Sequence, residues 1–408
     1  MNYRLLIRHP FIVDNFWYGL SGILLNVLNY AYVLIALHYL SKHDFGAFNA
    51  LVAILTMAAI ITNPLQLHVT RAISHLQQPV LRIYIVAIQG KLLRITLASL
   101  LFLVLVSQYF ASLLNVSAGH VIIVGIAIAF LISATFATAI SSGLRKLTFQ
   151  AFLGLVSTSV KLLCALVLFE AGLGVTAGLI GYVAGFALTF VITWHAMKSW
   201  EALEASCPMP EVRNDSISVL VLSYLFIAVP FSMDQVLAQV LSPAISGDYA
   251  ALVTVGKLAF YVTVPFQVVL YSYLTGSGNL QQQMNYLKAG LVVAMASSLL
   301  LTSLLWAGGR PLTDLLLSPS YASVAEWIVP YSLGICAYVF ANAVVSLAIA
   351  RGDYRILIPI CLATIAQISL FLLRYETLEQ LVANQLATFG LLSIAALGYL
   401  IFCRLGSR

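Results

Sequence analysis

Residues Leu40-Ser41-Lys42-His43-Asp44-Phe45-Gly46-Ala47-Phe48 return, without a gap, as Leu241-Ser242-Pro243-Ala244-Ile245-Ser246-Gly247-Asp248-Tyr249. The register holds from 40–67 to 241–268. It aligns Ala50-Leu51-Val52 with Ala251-Leu252-Val253, Thr62 with Thr263, Pro64 with Pro265 and Gln66 with Gln267. The two copies lie about half the chain apart, so the sequence reads as two similar halves. In a long apolar protein, such halves point to a transporter with its substrate path between them.

The chain around this repeat is built for lipid. Of 408 residues, 62% are hydrophobic and only 8% charged, with a mean hydropathy of +1.00. That is too little charge to cover a soluble domain. A helix of about 20 apolar residues crosses a bilayer, and about twelve such stretches can be marked. They are 15–40, 46–70, 92–114, 119–143, 148–169, 173–197, 217–241, 247–272, 287–308, 324–350, 356–373 and 381–403. The fold class expected is an all-α polytopic membrane protein of about 12 transmembrane helices.

The basic residues set the expected orientation. Most of the 20 Lys+Arg, among them Arg8, Arg71, Arg145, Lys198, Arg351 and Arg404, fall at one set of span ends. Lys42, Arg310 and Arg374 fall at the other, and Lys161 and Lys257 lie inside spans. The positive-inside rule then places both termini in the cytoplasm. The net charge of +6 reflects this topology, and nucleic acid is not an expected partner. The run after Asp14 is too long for a signal-peptide core, so the first span is expected to stay in the mature protein. Cys164, Cys207, Cys336, Cys361 and Cys403 lack the spacing of metal ligands and read as packing residues.

The longest polar stretch, about 198–216, contains Glu201, Glu204, Pro208 and Pro210 and separates the halves. The expected organisation is a six-helix lobe over 1–200, a cytoplasmic linker over 201–216 and a second six-helix lobe over 217–408. Six spans per half give the halves parallel topology, related by an axis along the membrane normal. The external loops are short and leave no room for a catalytic domain, so the protein is not expected to be an enzyme.

The repeated loop, with Asp234 before it and Gly256-Lys257-Leu258 after it, resembles the polysaccharide-transport branch of the MOP (multidrug/oligosaccharidyl-lipid/polysaccharide) flippase superfamily. That branch shows a Leu-(Ser/Thr)-x-x-(Asp/Glu)-Phe-Gly loop after helix 1, an Asp in helix 7, a Gly-x-Tyr entry to helix 8 and a Lys within helix 8. Arg71 after helix 2 also fits. Two features depart from the branch: Tyr271-Ser272-Tyr273-Leu274 lacks the Pro that often follows helix 8, and the chain is somewhat short. The resemblance implies a V-shaped transporter of two six-helix lobes around a cavity that opens alternately to each side. It implies a cargo of undecaprenyl-diphosphate-linked oligosaccharide, flipped across the bacterial cytoplasmic membrane for surface polysaccharide export. Competing readings are an ion-coupled drug or cation exporter of the same superfamily and, in another class, a membrane polysaccharide polymerase or ligase. The latter would need a sizeable external loop bearing Arg or His. The protein is expected to act as a monomer among membrane lipids, without cofactor or metal, with coupling to H+ or Na+ left open.

The candidate site residues are the charges and amides at membrane depth. Lys257 lies about 15 Å below the external surface at 1.5 Å per residue. A charge there costs about 2.5–3.5 kcal/mol on insertion scales, so it reads as a cavity-facing anchor for diphosphate, with Tyr261 one turn on to stack on sugar. Asp234, about 10 Å below the same surface, reads as an ion-pair partner of Lys257 or an ion-coupling carboxylate. Lys161, one turn after Ser157, is a second candidate for the cargo. Asn26 and Asn29 are either sugar ligands or interhelical glue. Pro64 and Pro265 mark bends for gating, and Gln66 and Gln267 are expected to satisfy the carbonyls those prolines free.

Overall fold

The computed structural model describes residues 10–75, 78–144, 146–200, 217–264, 266–267, 270, 273–274 and 279–405. The expected linker over 201–216 and Pro265 lie outside the described residues. The described residues are overwhelmingly helical, with no strand among them. In chain order the helices are α1 (Pro10–Tyr39), α2 (Lys42–His75), α3 (Gln78–Leu114), α4 (Ala118–Gly143), α5 (Leu147–Glu170), α6 (Val175–Trp200) and α7 (Ile217–Leu241). They continue as α8 (Ser246–Gly256), α9 (Leu258–Tyr261), α10 (Leu280–Leu316), α11 (Ala325–Ala350), α12 (Leu357–Leu373) and α13 (Leu378–Leu405). Eleven helical segments among the described residues are long and apolar enough to cross a membrane.

The eighth expected span, 247–272, is the exception. It forms α8, stops at Gly256, and resumes as the four residues of α9. The turn tightens at this point: Phe260 N–H donates to the Lys257 carbonyl at 3.0 Å and Thr263 N–H to the Phe260 carbonyl at 2.8 Å. These i→i−3 bonds stand beside i→i−4 bonds from Lys257 N–H to the Val253 carbonyl at 2.9 Å and from Tyr261 N–H to the Lys257 carbonyl at 3.1 Å, so the turn tightens locally while the ladder runs on. Elsewhere the ends follow local chemistry. Ser117 caps α4 by accepting from His120 N–H at 3.3 Å, and Asn279 caps α10 by accepting from Gln281 N–H at 2.9 Å. Gly309, at φ 48°, ψ −139°, breaks the α10 ladder two residues before Pro311, a left-handed conformation that glycine adopts without a Cβ clash.

The chain divides into two compact units. The first comprises Met1–Tyr39 and Ala58–Val221, the second Leu40–Met57 and Leu222–Arg408. In the first, α5 packs on α6 and α1, and α4 packs on α6 and α3. Val69 and Ile73 of α2 bury against Phe136, Ala139 and Ile140 of α4. In the second, α11 packs on α13, α10 and α8, and α12 packs on α13. Leu270, Leu274, Met284 and Leu287 bury there against Ala343 and Leu347. The unit boundary does not follow the sequence halves, because residues 40–57 belong with the second unit. Met57 and Ala58 are consecutive residues of one uninterrupted helix, α2, which holds Pro64 in its interior.

Candidate functional site

Among the described residues each unit holds one buried lysine, and the two are solvated by protein in different ways. In the second unit, α7 carries Asp234 and the α8–α9 break carries Lys257; the two side chains are 0% and 4% exposed. Lys257 Nζ lies 3.4 Å from Asp234 Oδ1. It also donates to the Phe231 carbonyl, and sits 4.4 Å from the centre of the Phe231 ring. With the Gln235 amide turned as its hydrogen bonds require, Oε1 accepts from Lys257 Nζ at 2.9 Å and the amide nitrogen donates to the Asn49 carbonyl at 3.2 Å. An ammonium has three N–H donors, and here three acceptors meet them. The other carboxylate oxygen, Asp234 Oδ2, accepts from Tyr249 OH at 3.0 Å and Tyr331 OH at 2.9 Å.

The sequence folds this way because Gly256 leaves room. A Cβ at Gly256 would run into the Tyr331 ring, so its absence lets the α11 phenol pass over α8 to the carboxylate. Below this cluster, Gln385 and Gln367 both donate to the Pro230 carbonyl, at 2.9 and 3.2 Å. Gln367 also donates to Gln385 Oε1 at 2.8 Å. Tyr249, Tyr331, Gln367 and Gln385 were not among the sequence candidates. Tyr249 stood in the quoted repeat, but nothing in the spacing marks the other three, whose partners come from distant helices.

This geometry corrects the expectation for Lys257. It pairs with Asp234 as the matched depths suggested, but it is 3% exposed and its donors are taken, so it is not an open, cargo-facing group. Tyr261, whose N–H donates to the Lys257 carbonyl at 3.1 Å, is 39% exposed where Lys257 is buried. Gln267 also departs from expectation. Its amide donates to Thr263 Oγ1 at 2.9 Å and its oxygen accepts from Asn342; both partners are side chains, where a freed carbonyl was expected. Pro64 is buried in α2, and the helix continues through it to His75.

In the first unit Lys161, on α5, is 6% exposed. Its Nζ donates to Asn29 Oδ1 of α1 and lies 4.4 Å from the Tyr32 ring centre and 4.6 Å from that of Tyr182. The two rings meet edge-on at 5.2 Å, and Tyr32 OH is fixed by the Gly178 carbonyl. The box is tight because α6 presents glycine to α5. A Cβ at Gly181 would meet the Lys161 carbonyl at 2.8 Å, and one at Gly185 would meet Lys161 Cβ at 3.1 Å. Ser157 Oγ donates to the Gly185 carbonyl at 2.6 Å. Among the described residues Lys161 therefore has one hydrogen-bond acceptor, two π faces and no carboxylate. Asn29 is exposed and Asn26 half-buried. Asn29 points roughly opposite the exposed Ile23, Leu24 and Val27 at about 100° per residue, so α1 has a polar exposed side and an apolar one. No group of three or more His, Cys, Asp or Glu side chains able to hold a metal occurs among the described residues.

No protein-family model matches the sequence, and no curated protein matches it significantly. Solved structures do match over nearly the whole chain. The lipid II flippase MurJ in an inward closed conformation aligns with a TM-score of 0.67 at 12% identity, covering 96% of this chain and 86% of that one. An inward-facing multidrug-resistance MATE family transporter of the MOP superfamily aligns at 0.70 and 11%, covering 95% and 97%. A MOP superfamily transporter from Pyrococcus furiosus aligns at 0.64 and 10%, covering 94% and 92%. The fold of this chain is thus the one shared by MurJ and the MATE transporters of the MOP superfamily.

Proposed function

We propose that this protein is a MOP-type transporter that moves a lipid-linked, diphosphate-bearing oligosaccharide across the bacterial cytoplasmic membrane by alternating access, with both termini in the cytoplasm. The observation that carries this reading is the state of Lys161. A buried ammonium costs several kcal/mol unless an opposite charge compensates it, and Asn29 with two tyrosine faces offers none. Among the described residues, two of its three N–H donors are left for a ligand. A phosphate oxygen supplies both the charge and the acceptors, and Asn29, in contact with Lys161, with Asn26 one turn before it on α1, would serve sugar hydroxyls. Lys257 does not compete for this role, because Asp234 already neutralises it. A cationic drug is disfavoured on the same grounds, since the buried carboxylate is occupied and the uncompensated charge is positive.

The test is direct. Purified protein in liposomes is given a fluorescent polyprenyl-diphosphate oligosaccharide, and binding and transbilayer movement are followed. Lys161→Ala should weaken binding about tenfold or more, the loss expected for a hydrogen bond to a charged group, while Lys161→Arg keeps part of it. Unchanged binding by a stable Lys161→Ala protein sinks the assignment. Saturable movement of a lipophilic cation, with none of the diphosphate lipid, sinks the substrate class.

A further inference from the structure

The two copies of the repeated loop that defines the sequence meet in the structure, glycine against glycine. Gly46 is the fifth residue of α2 and Gly247 the second residue of α8, at equivalent positions of the repeat. A Cβ on Gly46 would meet the backbone nitrogen of Gly247 at 2.8 Å and would overlap Ser246 Oγ; a Cβ on Gly247 would overlap the Lys42 carbonyl. Only glycine at both positions lets the two backbones cross this closely. Beside the crossing, Lys42 Nζ pairs with Asp248 Oδ1 at 2.6 Å and lies 4.9 Å from the centre of the Tyr321 ring. Phe45, fully buried, meets the same Tyr321 ring at 6.5 Å. Deeper in, Gln235 donates to the Asn49 carbonyl at 3.2 Å, tying this segment to the Asp234 cluster. These contacts explain why residues 40–57 belong with the second unit although they are first-half sequence.

We infer that residues 40–57 are a strap, held on the second unit by the Lys42–Asp248 ion pair and the Gly46–Gly247 crossing, which must part for the path to open at that end. The positive-inside reading places this end outside the cell, and the inference rests on the transport function proposed above. Among the described residues, Lys42–Asp248 is the ion pair that joins the segment 40–57 to α8, so a change of charge at a single residue can reverse it. It is half exposed, at 40% and 21% for the two side chains, so water can compete for it when it parts. The equivalent positions in the other copy, Pro243 and Ala47, carry no charge. The strap is therefore one-sided, with the cation on the arm and the anion on the unit that holds it.

Two readouts test this, the first independent of any cargo. In a cysteine-free background, Ser246→Cys places a thiol under the crossing, where Ser246 is 2% exposed. Its labelling by a membrane-impermeant maleimide should be slow. Lys42→Glu, which sets like charges together, should speed it about fivefold or more, and Lys42→Glu with Asp248→Lys should return it toward the starting rate. A rate indifferent to both changes overturns the strap whether or not the cargo is a glycan. The second readout joins Lys42→Cys to Asp248→Cys by oxidation. The cross-linked transporter should lose glycan movement in liposomes and recover it on reduction; full activity while cross-linked overturns the inference. Charge-dependent labelling in a protein that moves no diphosphate lipid would support the strap and remove the proposed cargo, so the two failures are separable.

Discussion

Lys161 and Lys257 each put three N–H donors where water is scarce, and their partners decide what each can do. Lys257 has a carboxylate, a carbonyl and an amide oxygen, and the carboxylate in turn has two phenols. Removing one member of so closed a set leaves its partner buried and unpaired. Asp234→Asn should destabilise the protein by up to about 3–5 kcal/mol, the range for breaking a buried pair, seen as a lower melting temperature in detergent. Replacing both ends, as Asp234→Asn with Lys257→Met, should recover much of that loss, because the desolvated charge is gone. A double variant no more stable than Asp234→Asn alone would show that Lys257 is not held by Asp234. Lys161, without a carboxylate, should behave in the opposite way: Lys161→Met should leave stability unchanged or raised while lowering cargo binding.

At the scale of elements, close approach is set by glycine. Gly181 and Gly185 bring α6 onto the Lys161 stretch of α5, and Gly181 has 2.8 Å to the Lys161 carbonyl and 2.9 Å to Ala165 Cβ for any added Cβ. Gly181→Leu should therefore push α6 away, cost about 1–3 kcal/mol as overpacking does, and pull the Tyr182 ring off the ammonium. The expected result is a lower melting temperature together with weaker cargo binding. Loss of stability with binding intact would show that the aromatic box is not part of the site. The break at Lys257 is the other element-scale device. Hydropathy reads 247–272 as one span, since Lys257 is the one charge inside it beyond Asp248 at its very start. The break follows from where Tyr331, Asp234 and Phe231 stand, and those residues lie on α11 and α7.

At the scale of the molecule, topology is the first thing to check. Single cysteines at Asp44 and Asp314 should react with an impermeant thiol reagent from outside the cell, and one at Arg351 only after the membrane is opened. Reaction of Asp44 and Arg351 positions from the same side would refute the two-halved arrangement. The span count, helical class and repeat were legible because lipid demands long apolar helices and the duplicated loop kept its residue types. The ownership of residues 40–57 was not. Both sequence halves read as self-contained, and only the contacts of Phe45, Gly46 and Asn49 assign the segment to the second unit.

The sequence by itself determined that the chain is a polytopic helical membrane protein with a repeated loop, that Asp234 and Lys257 lie within about 5 Å of each other in depth, and that Lys161 lies inside a span. Those conclusions rest on local quantities: hydropathy, helical rise and charge position. Tertiary structure alone decided which buried lysine is satisfied. A donor's partners are set by other helices and by backbone carbonyls such as Phe231, and neither leaves a mark in the spacing of residues along one helix. The same holds for Gly46 and Gly247. Their alignment in the repeat is a matter of sequence, but their crossing arises only where two backbones, lacking Cβ atoms, are brought together by the fold.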